Sequence, residues 1–262
     1  METTNKFSIS RTGSIVRKLL IEQSRTNLMR LVVLFGSLIV LAILIGFSVG
    51  YSPETSFMGD RAIQGEQIAF GAMLFILGSI YVSTAFSSLI QKTGRISMLS
   101  LPANSSEKFL AHWIIYVLLF FVSFFCAIWV ADWSRYLLMK IIYPDCPHIS
   151  CLKLGDIFMA EGSVTIAIFL LYQSFFFLGS IIWPRFSFIK TYFALTALCI
   201  LYVIVAGTSV YYFMPSKYHY ATTFIKSLNP IHVQWYVTGL ICIINYTLTY
   251  LRLRESEVIN RF

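Results

Sequence analysis

Charge is scarce in this sequence. Only 12% of its 262 residues are Asp, Glu, Lys or Arg, about half the share of an ordinary soluble domain. The deficit is uneven. Long stretches carry no charge at all, which is the pattern a lipid environment imposes, because an unpaired charge in hydrocarbon costs several kcal/mol. Catalytic and nucleotide signatures are missing as well. Without GxxxxGK[ST] the chain cannot hold ATP on a P-loop. Without HExxH or GxSxG it has neither a zincin helix nor a nucleophile elbow. No cleavable leader is expected, since the first apolar run begins near Leu31, is too long for an h-region, and has no small-x-small site after it.

What is abundant is apolar and aromatic. Hydrophobic residues make up 57% of the chain, with 23 Phe, 15 Tyr and 5 Trp. Many Tyr and Trp stand near the ends of apolar runs, where amphipathic rings suit the headgroup layer. Six runs, 31–50, 68–90, 109–131, 163–183, 191–213 and 231–251, are each 20 to 23 residues long and free of Asp, Glu, Lys and Arg. That length crosses hydrocarbon as a helix, and the runs lack the short alternation of barrel strands. The expected fold is therefore all-α and polytopic, with six transmembrane helices. Its parts are a cytoplasmic segment 1–30, a membrane domain 31–251 and a tail 252–262.

The net charge of +8 reads as a topological signal, not as a nucleic-acid footprint, because no basic stripe with interleaved aromatics lies outside the spans. Segments 1–30, 91–108, 184–190 and 252–262 together hold fourteen basic and five acidic residues, against six and seven in 51–67, 132–162 and 214–229. The asymmetry places both termini in the cytoplasm. Within 14–30, Ile15, Val16, Leu19 and Leu20 recur at helical spacing among Arg17, Lys18, Arg25 and Arg30. This predicts an amphipathic helix in the cytoplasmic interface. The alternative is a plain basic tail beside the membrane.

Candidate chemistry is sparse. No carboxylate falls inside a predicted span, which argues against a carboxylate proton relay. His112 and His232 stand at span edges, where a headgroup contact is the ordinary role. Cys146 and Cys151 flank a short gap in an outer loop. A disulfide, two free thiols, or a cramped metal site with Asp145 and His148 are the three readings. Cys126, Cys199 and Cys242 read as apolar packing residues. The mild polar groups inside spans, such as Ser79, Ser83, Thr84, Gln173, Ser174, Asn245 and Thr249, read as interhelical hydrogen-bonding residues, with a weakly polar transport path as the alternative.

The stretch Leu101-Pro102-Ala103-Asn104-Ser105-Ser106-Glu107-Lys108-Phe109 suggests a turn and then a helix start capped by Ser105 or Ser106. It also resembles the segment after the second span of type-2 ABC exporter permeases. Phe177-Leu178-Gly179-Ser180 followed by Phe188-Ile189-Lys190-Thr191, and the ending Tyr250 to Val258, are similar to a bacterial subgroup of such permeases. The resemblance implies a six-span permease subunit in the cell (inner) membrane, working as a homodimer or heterodimer with a separate ABC ATPase. ATP hydrolysis would belong to that partner, so the chain itself would be no enzyme and would hold no cofactor. In that family the cytoplasmic segment between spans 2 and 3 docks onto the ATPase. Carried over, the docking residues are Lys92, Arg95, Met98, Leu99, Leu101, Glu107 and Lys108, an apolar group among charges. A membrane-surface placement of that loop is the competing reading. A scaffold or regulatory subunit and a secondary transporter are the rival functions.

Overall fold

The computed structural model describes residues 8–49, 57–90, 94, 96–97, 103–144, 149, 151–152, 160–213 and 230–259. The described residues are mostly helical, with no strand among them. In chain order the helices are α1 (Ile9–Glu22), α2 (Ser24–Val49), α3 (Phe57–Ser83), α4 (Ser105–Ile142), α5 (Ala160–Ile182), α6 (Ser187–Phe213) and α7 (Pro230–Ile259). Among the described residues, five segments are long and apolar enough to cross a membrane: Ser24–Ser48, Ile63–Ile90, Ser105–Ile142, Val164–Ile182 and Ser187–Val205. The sixth expected span coincides with α7. That helix is 30 residues long, but Asn245, Thr247, Arg252, Arg254 and Glu255 make its second half more polar than the other five.

The chain divides into two compact units, one of 1–81 with 102–165 and one of 82–101 with 166–262. In the first, α2 packs along α4. Leu34, Leu38 and Ala42 recur every four residues on one face of α2 and are buried, as are Phe120, Phe124, Ala127, Ile128 and Ala131 on α4. The opposite face of α2 presents Val32, Val33, Val40, Leu44 and Phe47. An apolar surface of that extent has no stable home in water and suits lipid.

Side-chain contacts fix the directions of these helices. Arg30, early in α2, lies 5.2 Å from the Tyr81 ring at the end of α3 and 6.0 Å from the Tyr116 ring early in α4. At the other end, Gly46 of α2 faces Arg135 of α4, which pairs with Glu66 of α3. So α2 and α4 run the same way and α3 runs back between their ends, the up-down-up order of consecutive spans. Residues 116 and 135 are separated by about 28 Å at 1.5 Å rise per residue, close to the roughly 30 Å of bilayer hydrocarbon.

The amphipathic N-terminal helix runs over Ile9–Glu22, earlier than the sequence pattern suggests, and α2 starts at Ser24 after a break at Gln23. Residues 24–30 thus open the first long helix. Thr12 and Ile15 of α1 are buried, and α1 packs on the first turns of α4. Those turns are capped by Asn104, not by Ser105 or Ser106, in a reciprocal box with Glu107. The box suits an asparagine three residues before a glutamate. Glu107 Oε2 accepts from the Asn104 N–H at 3.2 Å, and Oε1 accepts from the Ser8 N–H at 2.9 Å. One carboxylate therefore starts α4 and holds the entry to α1. After Trp113 the helix widens into a π-helical stretch, Ile114–Leu119. Tyr116, inside it, donates its hydroxyl to Gln23 Oε1 at 3.0 Å, which ties the α1–α2 break to α4.

In the second unit, Phe177 of α5 stands 5.4 Å from Phe86 and 5.9 Å from Tyr246 of α7, measured between ring centroids. Asn245 donates to Ser174 Oγ at 2.9 Å, a buried bond between α7 and α5. The turn from α5 to α6 carries Phe186 at φ 59°, and beyond it the two helices meet closely at Gly179 and Thr191.

Candidate functional site

A helix does not stop where hydropathy falls. The expected third span ends at residue 131, yet α4 continues to Ile142. The second begins at 68, yet α3 starts at Phe57. The extra turns carry charge inward. Asp132 and Arg135, one turn apart, face the same side of α4, as i and i+3 positions must. Glu66 of α3 meets them there.

Arg135 Nε lies 2.6 Å from Glu66 Oε1, and Nη2 lies 2.6 Å from Asp132 Oδ1. Asp132 Oδ2 accepts the Leu152 backbone N–H at 2.8 Å. The side chains of Glu66, Asp132 and Arg135 are 0%, 3% and 1% exposed. Gly46 makes room for them. A β-carbon there would sit 3.2 Å from Arg135 Cγ and 2.7 Å from Met139 Cε. Met139 in turn packs against Leu138, Tyr143 and Ile149 and closes one flank.

The arrangement is not electrically balanced. Two carboxylates face one guanidinium. Neither Glu66 oxygen has a donor in hydrogen-bond alignment, and the Arg135 Nε contact is a close ion pair off that alignment. Breaking a buried ion pair is costly because the survivor is left uncompensated. The cluster is thus a buried, unbalanced charge group at one end of the α2–α3–α4 packing, and the largest concentration of buried charge among the described residues. Glu66 and Asp132 lie just outside the expected spans 68–90 and 109–131, but inside the longer apolar helical segments Ile63–Ile90 and Ser105–Ile142. The cluster contains no metal-ligating group of three, and none occurs among the described residues.

Of the residues expected to dock a partner, only Glu107 and Lys108 fall among the described residues. Lys92, Arg95, Met98, Leu99 and Leu101 lie outside the described residues. Glu107 and Lys108 are buried in the first unit, with Glu107 occupied by the α4 cap and by Ser8. His112 is not a headgroup contact. It is buried, its Nδ1 lies 2.9 Å from the Lys108 carbonyl, and its ring stacks 6.3 Å from that of Tyr116. The side chain of His232 is outside the described set, as are Asp145, Cys146 and His148. Cys151 carries a free thiol. Its half-burial pushes the thiol pKa up, and the Asp132 charge pushes it the same way. Most hydroxyls inside the helices turn back on their own backbones, as Ser79 does to Ile76 O, Ser174 to Leu171 O and Thr249 to Asn245 O. These bonds lie within single helices and not between them as expected, whereas Asn245 to Ser174 is an interhelical bond of the expected kind.

No family model, curated protein or solved structure matches this chain.

Proposed function

We propose that the chain is the membrane-spanning permease subunit of an ATP-driven, ABC-type exporter, and that it works with a separate ATPase subunit as a homodimer or heterodimer in the cell (inner) membrane. In this reading α7 is the sixth span, its charge-free residues 231–251 crossing the bilayer, and both termini are cytoplasmic with α1 in the interface. The observation that supports it is the Glu107–Ser8 hydrogen bond. It ties the amphipathic α1 to the start of α4, directly after the loop that resembles an ATPase-docking segment. Force applied to such a loop would reach both the interface helix and a span through one carboxylate. The direct test is purification of the chain from its native membrane in lipid nanodiscs. A stoichiometric P-loop ATPase should accompany it. A chain that purifies alone while remaining intact and folded would overturn the reading.

A secondary transporter is the second reading, and the Glu66–Arg135–Asp132 cluster is the observation that favours it. Ionisable groups buried among spanning helices are where ion coupling is built. Transport by the purified chain in vesicles, without any ATPase but with an imposed ion gradient, would select this reading over the first.

A further inference from the structure

Carboxylates accept hydrogen bonds and cannot donate them unless protonated. Glu66 and Asp132 nonetheless both lie against the Arg135 guanidinium, each with an oxygen 2.6 Å from one of its nitrogens. Both side chains are removed from solvent, and the oxygens of Glu66 have no other aligned donor. With all three groups ionised, the packed site would hold one uncompensated negative charge. Proteins resolve such a carboxylate pair by placing one proton between the two.

We propose that Glu66, Asp132 and Arg135 form a site that binds one proton, shared between the two carboxylates, when α2, α3 and α4 are packed, and gives it to water when the packing opens. Uptake forms one O–H bond on a carboxylate oxygen and leaves the cluster neutral. Release breaks that bond, sends the proton to solvent, and leaves a net negative charge that dry packing does not tolerate. The groups facing the site set its charge balance. From α4 these are Asp132 and Arg135. From the segment beyond it they are the Cys151 thiol and the Leu152 N–H. From α2, Gly46 faces the site, while Arg30 lies at the other end of that helix, against Tyr81 and Tyr116. The site is independent of whether ATP or an ion gradient drives the chain.

Difference infrared spectroscopy of the full chain in lipid nanodiscs tests this, by titrating between acidic and alkaline buffer and recording the protonated-carboxyl stretch. The wild type should show a buried carboxylic acid band at neutral pH. The band should vanish in Glu66→Gln and in Asp132→Asn, since either change removes the need for a proton, and should persist in Glu107→Gln. Using two variants keeps the test decisive should one fail to insert. Absence of the band from the wild type at neutral pH, or its survival unchanged in the variants, would overturn the proposal. Copurification with an ATPase does not bear on this result, so the two readings fail separately.

Discussion

Glu107 and Ser8 are joined by a 2.9 Å hydrogen bond across 99 positions of sequence. The same carboxylate closes the cap of α4. Glu107→Ala should therefore loosen two helix starts at once. The expected cost is about 1–2 kcal/mol from the cap alone, together with release of α1. Protease sites within residues 9–22 should open before the long helices melt. Glu107→Gln keeps acceptor oxygen and should lie between wild type and alanine in both thermal unfolding and cleavage rate.

Arg135 is the only cation facing two buried carboxylates among the described residues. Arg135→Met leaves them facing one another without compensation, and should cost about 3–5 kcal/mol, the usual penalty for removing one partner of a buried pair. Glu66→Gln should cost much less, because it leaves a neutral amide and an intact Asp132–Arg135 pair. Thermal unfolding in detergent orders the two. The sign with pH follows from proton counting. If the packed cluster keeps a proton that the unfolded chain releases, stability falls as pH rises through neutrality, and Glu66→Gln removes that slope. Equal loss from both substitutions would count against the electrostatic account.

Gly179 and Thr191 mark where α5 and α6 meet within the second unit. A β-carbon at Gly179 would come within 2.9 Å of Thr191 Cβ and Cγ2, and closer still to Oγ1. A branched side chain attached near its own backbone cannot swing away. Gly179→Ala should thus destabilise by about 1–3 kcal/mol. Thr191→Ala removes two of the three clashing atoms, and the double variant should recover part of the loss. The contrast is Gly46→Ala, where the nearest atom is the flexible end of Met139, so the cost there should be smaller.

Much of this architecture is legible in the sequence, and the remainder shows why some of it is not. Apolar runs of span length mark all the long helices, since burial in lipid depends on composition within one segment. Helix ends are harder. The Asn104-x-x-Glu107 box is a local signal, readable in principle, but Ser105 and Ser106 compete for the same role. The buried cluster was missed for a different reason. Hydropathy windows end at the first charge, so Asp132 and Arg135 read as loop residues, and their partner Glu66 is distant in sequence. The visible trace is an acid and a base one turn apart immediately after an apolar run, with another acid just before one. Glu107 and Lys108 show the reverse case, because charges that look exposed in the sequence are buried, Glu107 being held by the α4 cap and by Ser8.

Cys151 should be a sluggish nucleophile. Burial raises its thiol pKa, and Asp132 raises it further, so less of it is thiolate at neutral pH than for an ordinary cysteine. Maleimide labelling of reduced protein should be slow and should accelerate with rising pH. Asp132→Asn should move that acceleration to lower pH. A disulfide with Cys146 would instead make Cys151 unreactive until a reductant is added. Labelling with and without reductant therefore separates a protected thiol from a bonded one.

Charge reversal separates the docking proposal from the fold. Lys108, in the first turn of α4, is buried, so Lys108→Glu would place an acid beside Glu107 and should lower stability by about 1–3 kcal/mol, whatever the partner. Lys92 and Arg95 precede this packed region in sequence and belong to the loop segment that resembles a docking element. Replacing both by Glu should preserve membrane insertion and thermal stability while abolishing copurification with the ATPase. An interface built on complementary charge loses association rate first, so partial reversal by low salt is not expected once both signs are inverted. The result that sinks the assignment is wild-type ATPase yield from the Lys92→Glu, Arg95→Glu double variant. Loss of yield only when Lys108 is changed, together with a lowered melting temperature, would identify a folding defect and not a docking surface.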